Sequence, residues 1–245
     1  MDKQKRIRID RLLVENGYFE SRERAQRSIL AGHVLVQENV IDKPGTLVRS
    51  NSVVRVIADE KYVGRGGYKL EAALKRFNIV ATDQVCLDVG ASTGGFTDCL
   101  LQHGARRVIA IDVGHNQLAW KIRSDPRVDV REGVNARHLS PELIGTRVRL
   151  ATVDVSFISL TLVLPPILTC IEQGGSVIAL IKPQFELEPN RVGKGGVVRD
   201  EQARQSSVCK IQNFVVEQLQ REWVEFIESP IAGGKGNREF LACIR

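Results

Sequence analysis

Three places in the sequence carry residues whose types and spacing suit chemistry at a bound ligand. The first is Val85-Cys86-Leu87-Asp88-Val89-Gly90-Ala91-Ser92-Thr93-Gly94-Gly95-Phe96-Thr97. It reads as an apolar strand that ends on a carboxylate, then a glycine-rich turn, then a helix. Glycine lets the backbone approach a ligand closely, and a helix start offers free N–H groups. The second is Ile111-Asp112, about twenty residues further on, where a carboxylate at a strand end can accept from both hydroxyls of a ribose. The third is a pair of charges that end apolar runs: Asp154 after Leu150–Val153, and Lys182 after Val177–Ile181 and before Pro183. The turn is not the dinucleotide fingerprint, which needs glycine where Ser92 stands. Nor is there a P-loop, because Gly193-Lys194 and Gly234-Lys235 are each followed by glycine rather than Ser or Thr. Cys86, Cys99, Cys170, Cys209 and Cys243 form no Cys-x-x-Cys pair and sit among apolar residues, which predicts buried reduced thiols. The four histidines are scattered, so no metal site is expected.

These residues need a scaffold that gathers strand ends. Strands are expected at Val85–Val89, Val108–Ile111, Val128–Val130, Leu150–Asp154, Ser176–Ile181, Trp223–Glu228 and Glu239–Ile244. Helices fill most gaps, at Gly94–His103, Gln117–Ile122, Leu160–Ile171 and Gln202–Leu219. Apolar strands separated by helices imply a mostly parallel sheet covered on both faces, an α/β domain over residues 69–245. Its first helix runs from Lys69 toward Asn78, with Leu70, Ala73, Leu74 and Phe77 on one face. Residues 58–68 (ADEKYVGRGGY) read as a linker. Residues 1–57 read as a small α+β domain. There Asp10 is expected to cap a helix to about Asn16, closed by Gly17, and Ser21 to cap a second, Arg22–Ala31, closed by Gly32. Val34–Val36 and Ser52–Ile57 are strand-like. The net charge is +6, and residues 1–76 hold 16 Lys/Arg against 10 Asp/Glu while the rest holds 19 against 19. The basic excess therefore sits at one end, as a polyanion-binding module would place it.

Residues 6–57, with the stretch SRERAQRSILAGHVLVQENVIDKPGTLV, resemble the RNA-binding domain first described in ribosomal protein S-four. The resemblance implies that Arg6, Arg8 and Arg11, and then Arg22, Arg24 and Arg27 on the second helix, grip structured RNA through phosphate and sugar contacts. Downstream, Asp88-x-Gly-x-x-x-Gly-Gly resembles the S-adenosylmethionine motif of Rossmann-like, seven-stranded methyltransferases. That implies a cofactor turn made by Asp88, Gly90, Ser92, Thr93, Gly94, Gly95 and Phe96. It also implies a ribose held by Asp112 beside Val113, an adenine near Asn135, and Asp154 at the border of the site. No cysteine follows a proline, as cytosine-C5 methyltransferases require, and Asp154-Val155-Ser156-Phe157 lacks the prolines of the amino-group enzymes. What matches is the Lys–Asp–Lys–Glu set of the FtsJ-type ribose 2′-O-methyltransferases. The matching residues are Lys69 in RGGYKL, Asp154, Lys182 in IKPQFE and Glu239. In that set a cation beside the ribose oxygen stabilises it as it loses its proton, and Lys182 is expected in that role.

The order of these motifs resembles the TlyA family over essentially the whole chain. The resemblance implies methylation of cytidine ribose 2′-hydroxyls in ribosomal RNA, within a subunit or assembled particle, and leaves small and large subunits both open. Glu188–Asp200 (EPNRVGKGGVVRD) reads as a mobile basic loop that closes on RNA, so Arg65, Lys194 and Arg199 are expected along the RNA path. Two other functions compete. Members of the family are also named hemolysin, which suggests a membrane-active protein. Against it, no N-terminal signal is visible, and the longest apolar stretch, Ile158–Ile171, is short of the ~20 residues that span a bilayer. A cytoplasmic protein is expected. The other competitor, a non-catalytic RNA-binding ribosome-assembly factor, is disfavoured by the intact four-residue set.

Overall fold

The computed structural model describes residues 6–57 and 60–245, and the chain divides into two compact units, Met1–Glu60 and Lys61–Arg245. The first unit contains β1 (Arg6–Arg8), α1 (Ile9–Glu15), α2 (Arg22–Leu30), β2 (Val34–Val36), β3 (Asn39–Val40), β4 (Leu47–Arg49) and β5 (Val54–Val56). β2 lies between β3 and β5, antiparallel to both, and β1 pairs with β4. Ile9 and Leu13 on α1 pack against Ala25 and Ile29 on α2 and Val34 on β2. Ser21 Oγ accepts from the Arg24 N–H, and Gly17 and Gly32 take positive φ where the two helices close, as the sequence predicts.

Asp10 does something other than the capping expected of it. The N-cap position is Arg8, and the Asp10 carboxylate is buried one residue inside α1. It accepts from Arg8 Nε (3.1 Å) and Nη2 (3.0 Å), from Arg22 Nη2 (2.8 Å) and from Gln26 Nε2 (2.9 Å). The carboxylate thus ties α1 to α2. The Arg8 guanidinium holds it well below the usual carboxylate range, with burial opposing and Arg22 and Gln26 assisting.

The second unit is a seven-stranded sheet. Its strands are β6 (Val85–Val89), β7 (Arg107–Asp112), β8 (Val128–Glu132), β9 (Val148–Val153), β10 (Ile171–Ile181), β11 (Trp223–Glu228) and β12 (Phe240–Ile244), in the spatial order β11-β12-β10-β9-β6-β7-β8. β12 runs antiparallel to both its neighbours, and all other pairs are parallel. Successive residues of a strand face opposite sides of the sheet. Val177, Ala179 and Ile181 therefore enter one core, with Ile167 and Ile211, while Ile178 and Leu180 enter the other, with Leu70, Leu74 and Leu100. The helices are α3 (Gly66–Arg76), α4 (Gly95–Gln102), α5 (Trp120–Arg123), α6 (Pro141–Ile144), α7 (Leu164–Thr169), α8 (Pro183–Glu186) and α9 (Glu201–Asn213).

Several elements depart from the sequence reading for local reasons. α3 starts at Gly66, and Tyr62 is buried in the core beside Gly67, so most of the expected linker belongs to the second unit. The helix expected over Leu160–Ile171 splits into a 3-10 turn, Leu160–Leu162, and α7, which accommodates Pro165 and Pro166 in its first turn. α9 stops at Asn213 and passes into a π-helical turn, Phe214–Gln218. Cys209 is exposed rather than buried, because it lies on the outer side of α9. Among the described residues no helix is long and apolar enough to cross a membrane.

Asp10→Asn removes the charge that both guanidiniums bind. Each arginine is about half exposed, which discounts the loss to about 1–3 kcal/mol in the first unit. Hydrogen exchange should accelerate over residues 9–30 at pH 7. Because the carboxylate's pKa is lowered on folding, the wild-type advantage exists above the ordinary aspartate range and should vanish as pH falls through the native value. Unchanged protection at pH 7 would refute the tie.

Candidate active site at the carboxyl edge of the sheet

β6 and β9 are neighbours from which the chain winds in opposite directions, so their carboxyl ends flank the switch point where ligands bind in such sheets. Gly90 follows β6 with φ +85°, and a Cβ there would lie 2.4 Å from the Asp154 carbonyl oxygen, so the turn requires glycine. The N–H groups of Gly90 and Ala91 donate to the Ile111 carbonyl (2.8 and 3.1 Å), which locks the turn onto β7. At the end of β7, Asp112 accepts from the N–H of Ser92 (2.8 Å) and of Gly114 (2.7 Å). Each carboxylate oxygen keeps lone-pair capacity for a further donor.

A cavity of about 540 Å³ opens here. Gly90, Ser92, Asp112, Val113, Asn135 and Asp154 line it, together with Phe157. A smaller recess of about 150 Å³ is lined by Gly66, Thr93, Gly95, Phe96 and Asp154. Gly94, at φ +96°, is the cap of α4. Asn135 lies in the third-strand loop, and its Oδ1 accepts from the Arg137 N–H. Asp88 is different: it is buried beneath the turn and lines neither space. Its oxygens accept from Thr97 Oγ1 (2.6 Å) and Thr152 Oγ1 (2.9 Å), and burial pushes its pKa up to about 6. It shapes the turn from below. The residues present fit S-adenosylmethionine: a carboxylate for ribose hydroxyls, a backbone cradle that a Cβ would fill, and a cavity of adequate volume.

The four candidate catalytic residues form two ion pairs. Lys182 Nζ lies 2.6 Å from Asp154 Oδ1 and donates to Ser156 Oγ at 2.8 Å. Lys69 Nζ donates to Glu239 Oε2 at 2.6 Å, and both side chains are buried. Asp154 follows β9, Lys182 follows β10, and Glu239 precedes β12, so three neighbouring strands deliver three of the four. The register Ile181↔Phe240 carries Lys182 and Glu239 to adjacent places at the edge. α3 joins the pairs: Lys69 reaches Glu239, and Gly66, nearly one turn earlier, lines the recess with Asp154. Gly233 leaves room for the carboxylate, since a Cβ there would sit 1.8 Å from Glu239 Oε1.

Two further residues escaped the sequence reading. Glu186 is buried, and its oxygens accept from Ser159 Oγ (2.5 Å) and the Leu160 N–H (2.8 Å). It clamps the loop after Asp154 to the helix after Lys182, and burial raises its pKa. Phe157 is 90% exposed, with φ +64°, and its ring meets Phe185 at 5.1 Å. A large side chain held in the left-handed region and exposed at a cavity rim is a feature of sites rather than of packing. The sequence signal available for both was their place in the DVSFISL and IKPQFE stretches.

The candidate RNA-binding arginines separate. Arg6 and Arg27 are exposed, Arg11 pairs with Glu15 and Arg24 with Glu20 at the surface, whereas Arg8 and Arg22 hold Asp10. Arg65 is exposed and donates to the Ala232 carbonyl at 2.9 Å. Lys194 and Arg199 are exposed, but the segment bearing them is not a free loop. It folds into a turn with a Gly193↔Val197 bridge, and Val198 is buried at its base.

Comparison with known proteins assigns both units to families. Residues 62–245 match the FtsJ-like methyltransferases, and residues 7–54 match the S4 domain. The chain is 44% identical to the 16S/23S rRNA (cytidine-2′-O)-methyltransferase TlyA of Mycobacterium tuberculosis, over 98% of this chain and 90% of that one. It is 42% identical to Hemolysin A of Brachyspira hyodysenteriae, over 96% and 98%. A solved structure of a candidate hemolysin from Streptococcus thermophilus superposes with a TM-score of 0.73 at 41% identity, over 98% of this chain and 88% of that one. An α/β methyltransferase sheet with its cradle and paired charges, preceded by an S4 domain, places this chain in the FtsJ-like methyltransferase family.

Proposed function

We propose that the protein methylates the 2′-hydroxyl of a cytidine ribose in ribosomal RNA, with S-adenosylmethionine as donor, and does so on ribosomal subunits in the cytoplasm. The observation that carries this reading is the convergence of two lysine–carboxylate pairs on the carboxyl edge, beside a ribose-binding cradle. Relatives that match nearly the whole chain are named for cytidine-2′-O-methylation of ribosomal RNA, and the S4 domain supplies an RNA-binding module.

Gly90, Ser92, Asp112 and Asn135 would hold the cofactor, which when bound supplies a methyl group on a positively charged sulfur. The protein's part is alignment and electrostatics. In-line displacement needs the 2′-oxygen held on the axis of the breaking bond. Asp154 and Ser156 fix Lys182 Nζ at the rim, where its charge stabilises the acceptor oxygen as that oxygen takes the methyl group from sulfur and releases its proton to solvent water. Lys69–Glu239 braces the wall behind. Losing one partner of such a buried pair costs about 3–5 kcal/mol, so it also holds the site in shape. Phe157 offers a face on which a base turned out of its helix can stack.

The direct test is transfer of labelled methyl to purified ribosomal subunits. Lys182→Ala should lower kcat about 100-fold or more while leaving affinity for S-adenosylhomocysteine nearly intact. Full activity in that variant would remove Lys182 from the chemistry. Label on neither subunit nor on the assembled ribosome would move the acceptor elsewhere. Asp112→Ala should weaken cofactor affinity about 10- to 100-fold in calorimetry, as expected for lost hydrogen bonds to a charged group. An unchanged affinity would show that the ribose lies elsewhere.

A further inference from the structure

We infer that Asn237 is a positioning residue that holds the basic segment 188–200 against the catalytic edge, so that Lys194 and Arg199 meet the RNA strand bearing the acceptor ribose. The inference rests on the function proposed above and assigns the geometry of the RNA's approach. Asn237 is only 2% exposed, although it lies in a glycine-rich turn. Its side chain spends its capacity on linking two stretches far apart in sequence. Nδ2 donates to the Gly196 carbonyl (2.9 Å) and to the Gly234 carbonyl (3.3 Å), and Oδ1 accepts from the Val198 N–H (3.0 Å). Two neighbours reinforce the link: Lys235 Nζ donates to the Gly195 carbonyl (3.1 Å), and Arg204 Nε donates to the Val198 carbonyl (3.0 Å).

The other end of the link is the catalytic machinery. Two residues after Asn237, Glu239 enters its buried pair with Lys69, and its carbonyl accepts from the Ser229 N–H at 2.8 Å. Asn237, helped by Lys235, therefore sets the distance between the site and a segment whose exposed charges are Glu188, Arg191, Lys194, Arg199 and Asp200. Gly195 and Gly196, at φ +80° and +79°, let that turn form, but hydrogen bonds from outside it decide where it stands. The Asp200 carboxylate is engaged as the cap of α9, which leaves Arg191, Lys194 and Arg199 against Glu188, a cationic surplus that suits a phosphate backbone.

The test uses the full chain with ribosomal subunits as substrate. Asn237→Ala should raise KM for the subunit about tenfold, change kcat much less, and leave S-adenosylhomocysteine affinity unaltered. Exchange of the Val198 amide should quicken about tenfold or more as its acceptor is lost. The double variant Lys194→Ala/Arg199→Ala should raise KM similarly, and adding Asn237→Ala to it should do little more, because both act through the same contact. A fall in kcat with KM unmoved, effects that add in full, or a Val198 amide as slow as in wild type would each overturn the inference. If wild type transfers no methyl to any RNA, the proposed function falls and the RNA-guiding role falls with it; the exchange of Val198 still decides whether the link exists.

Discussion

The gathering of charges at the carboxyl edge depends on one topological constraint: β12 enters an otherwise parallel sheet in reverse. Parallel strands present their carboxyl ends along one edge, which is how Asp154 and Lys182 come to lie there. A fourth charged residue on a parallel β12 would have to follow the strand. Because β12 runs the other way, the residue before it, Glu239, arrives at the same edge. Without the reversal Glu239 would stand at the far end of a five-residue strand, about 16 Å away at about 3.3 Å per residue. The Lys69–Glu239 pair, the seat of α3 and the turn that carries Asn237 all follow from that placement.

Buried carboxylates do much of the fixing within each unit, Asp10 in the first and Asp88 and Glu186 in the second, and their surroundings divide them. Asp10 has two guanidiniums and is held in its charged form. Asp88 has two hydroxyls and the Thr97 N–H as partners rather than guanidiniums, so burial raises its pKa, and its favourable contribution is lost as pH rises through about 6. Glu186 lies between, with a hydroxyl, a backbone N–H and Lys210 at 3.5 Å. Each joins two elements that the sequence separates. Among the described residues, Asp112 and Asp154 are the carboxylates that line the larger cavity.

Much of this was legible in advance because the relevant signals are local or ordered. The strand–turn–helix at Val85–Thr97, the charge after each apolar run and the apolar alternation of the strands all report on near neighbours. The ends of β6 and β11 match the expectation to the residue. What stayed hidden depends on partners distant in sequence. Asp10 has the look of a helix cap until Arg22 and Gln26 are folded against it. Asp88 has the look of a ligand to the cofactor until Thr152, from β9, is seen to take its second oxygen. The segment 188–200 has the composition of a mobile loop until Asn237 and Lys235, some forty residues later, and Arg204 are seen to pin it. β1, β3 and β4 were missed because they are short and mostly exposed, with arginine or asparagine among their residues, whereas the equally short β2 is an unbroken buried apolar run.

The central claim is that the paired lysines and carboxylates direct the methyl group to a ribose oxygen rather than to a base. Alkaline cleavage of RNA needs a free 2′-hydroxyl, so methylation there protects the adjoining phosphodiester. The most direct measurement is therefore complete alkaline hydrolysis of ribosomal RNA labelled by this enzyme, followed by sizing of the labelled product. Label confined to an alkali-stable dinucleotide with cytidine on its 5′ side is the predicted result. Label recovered in mononucleotides would place the methyl on a base and contradict the account.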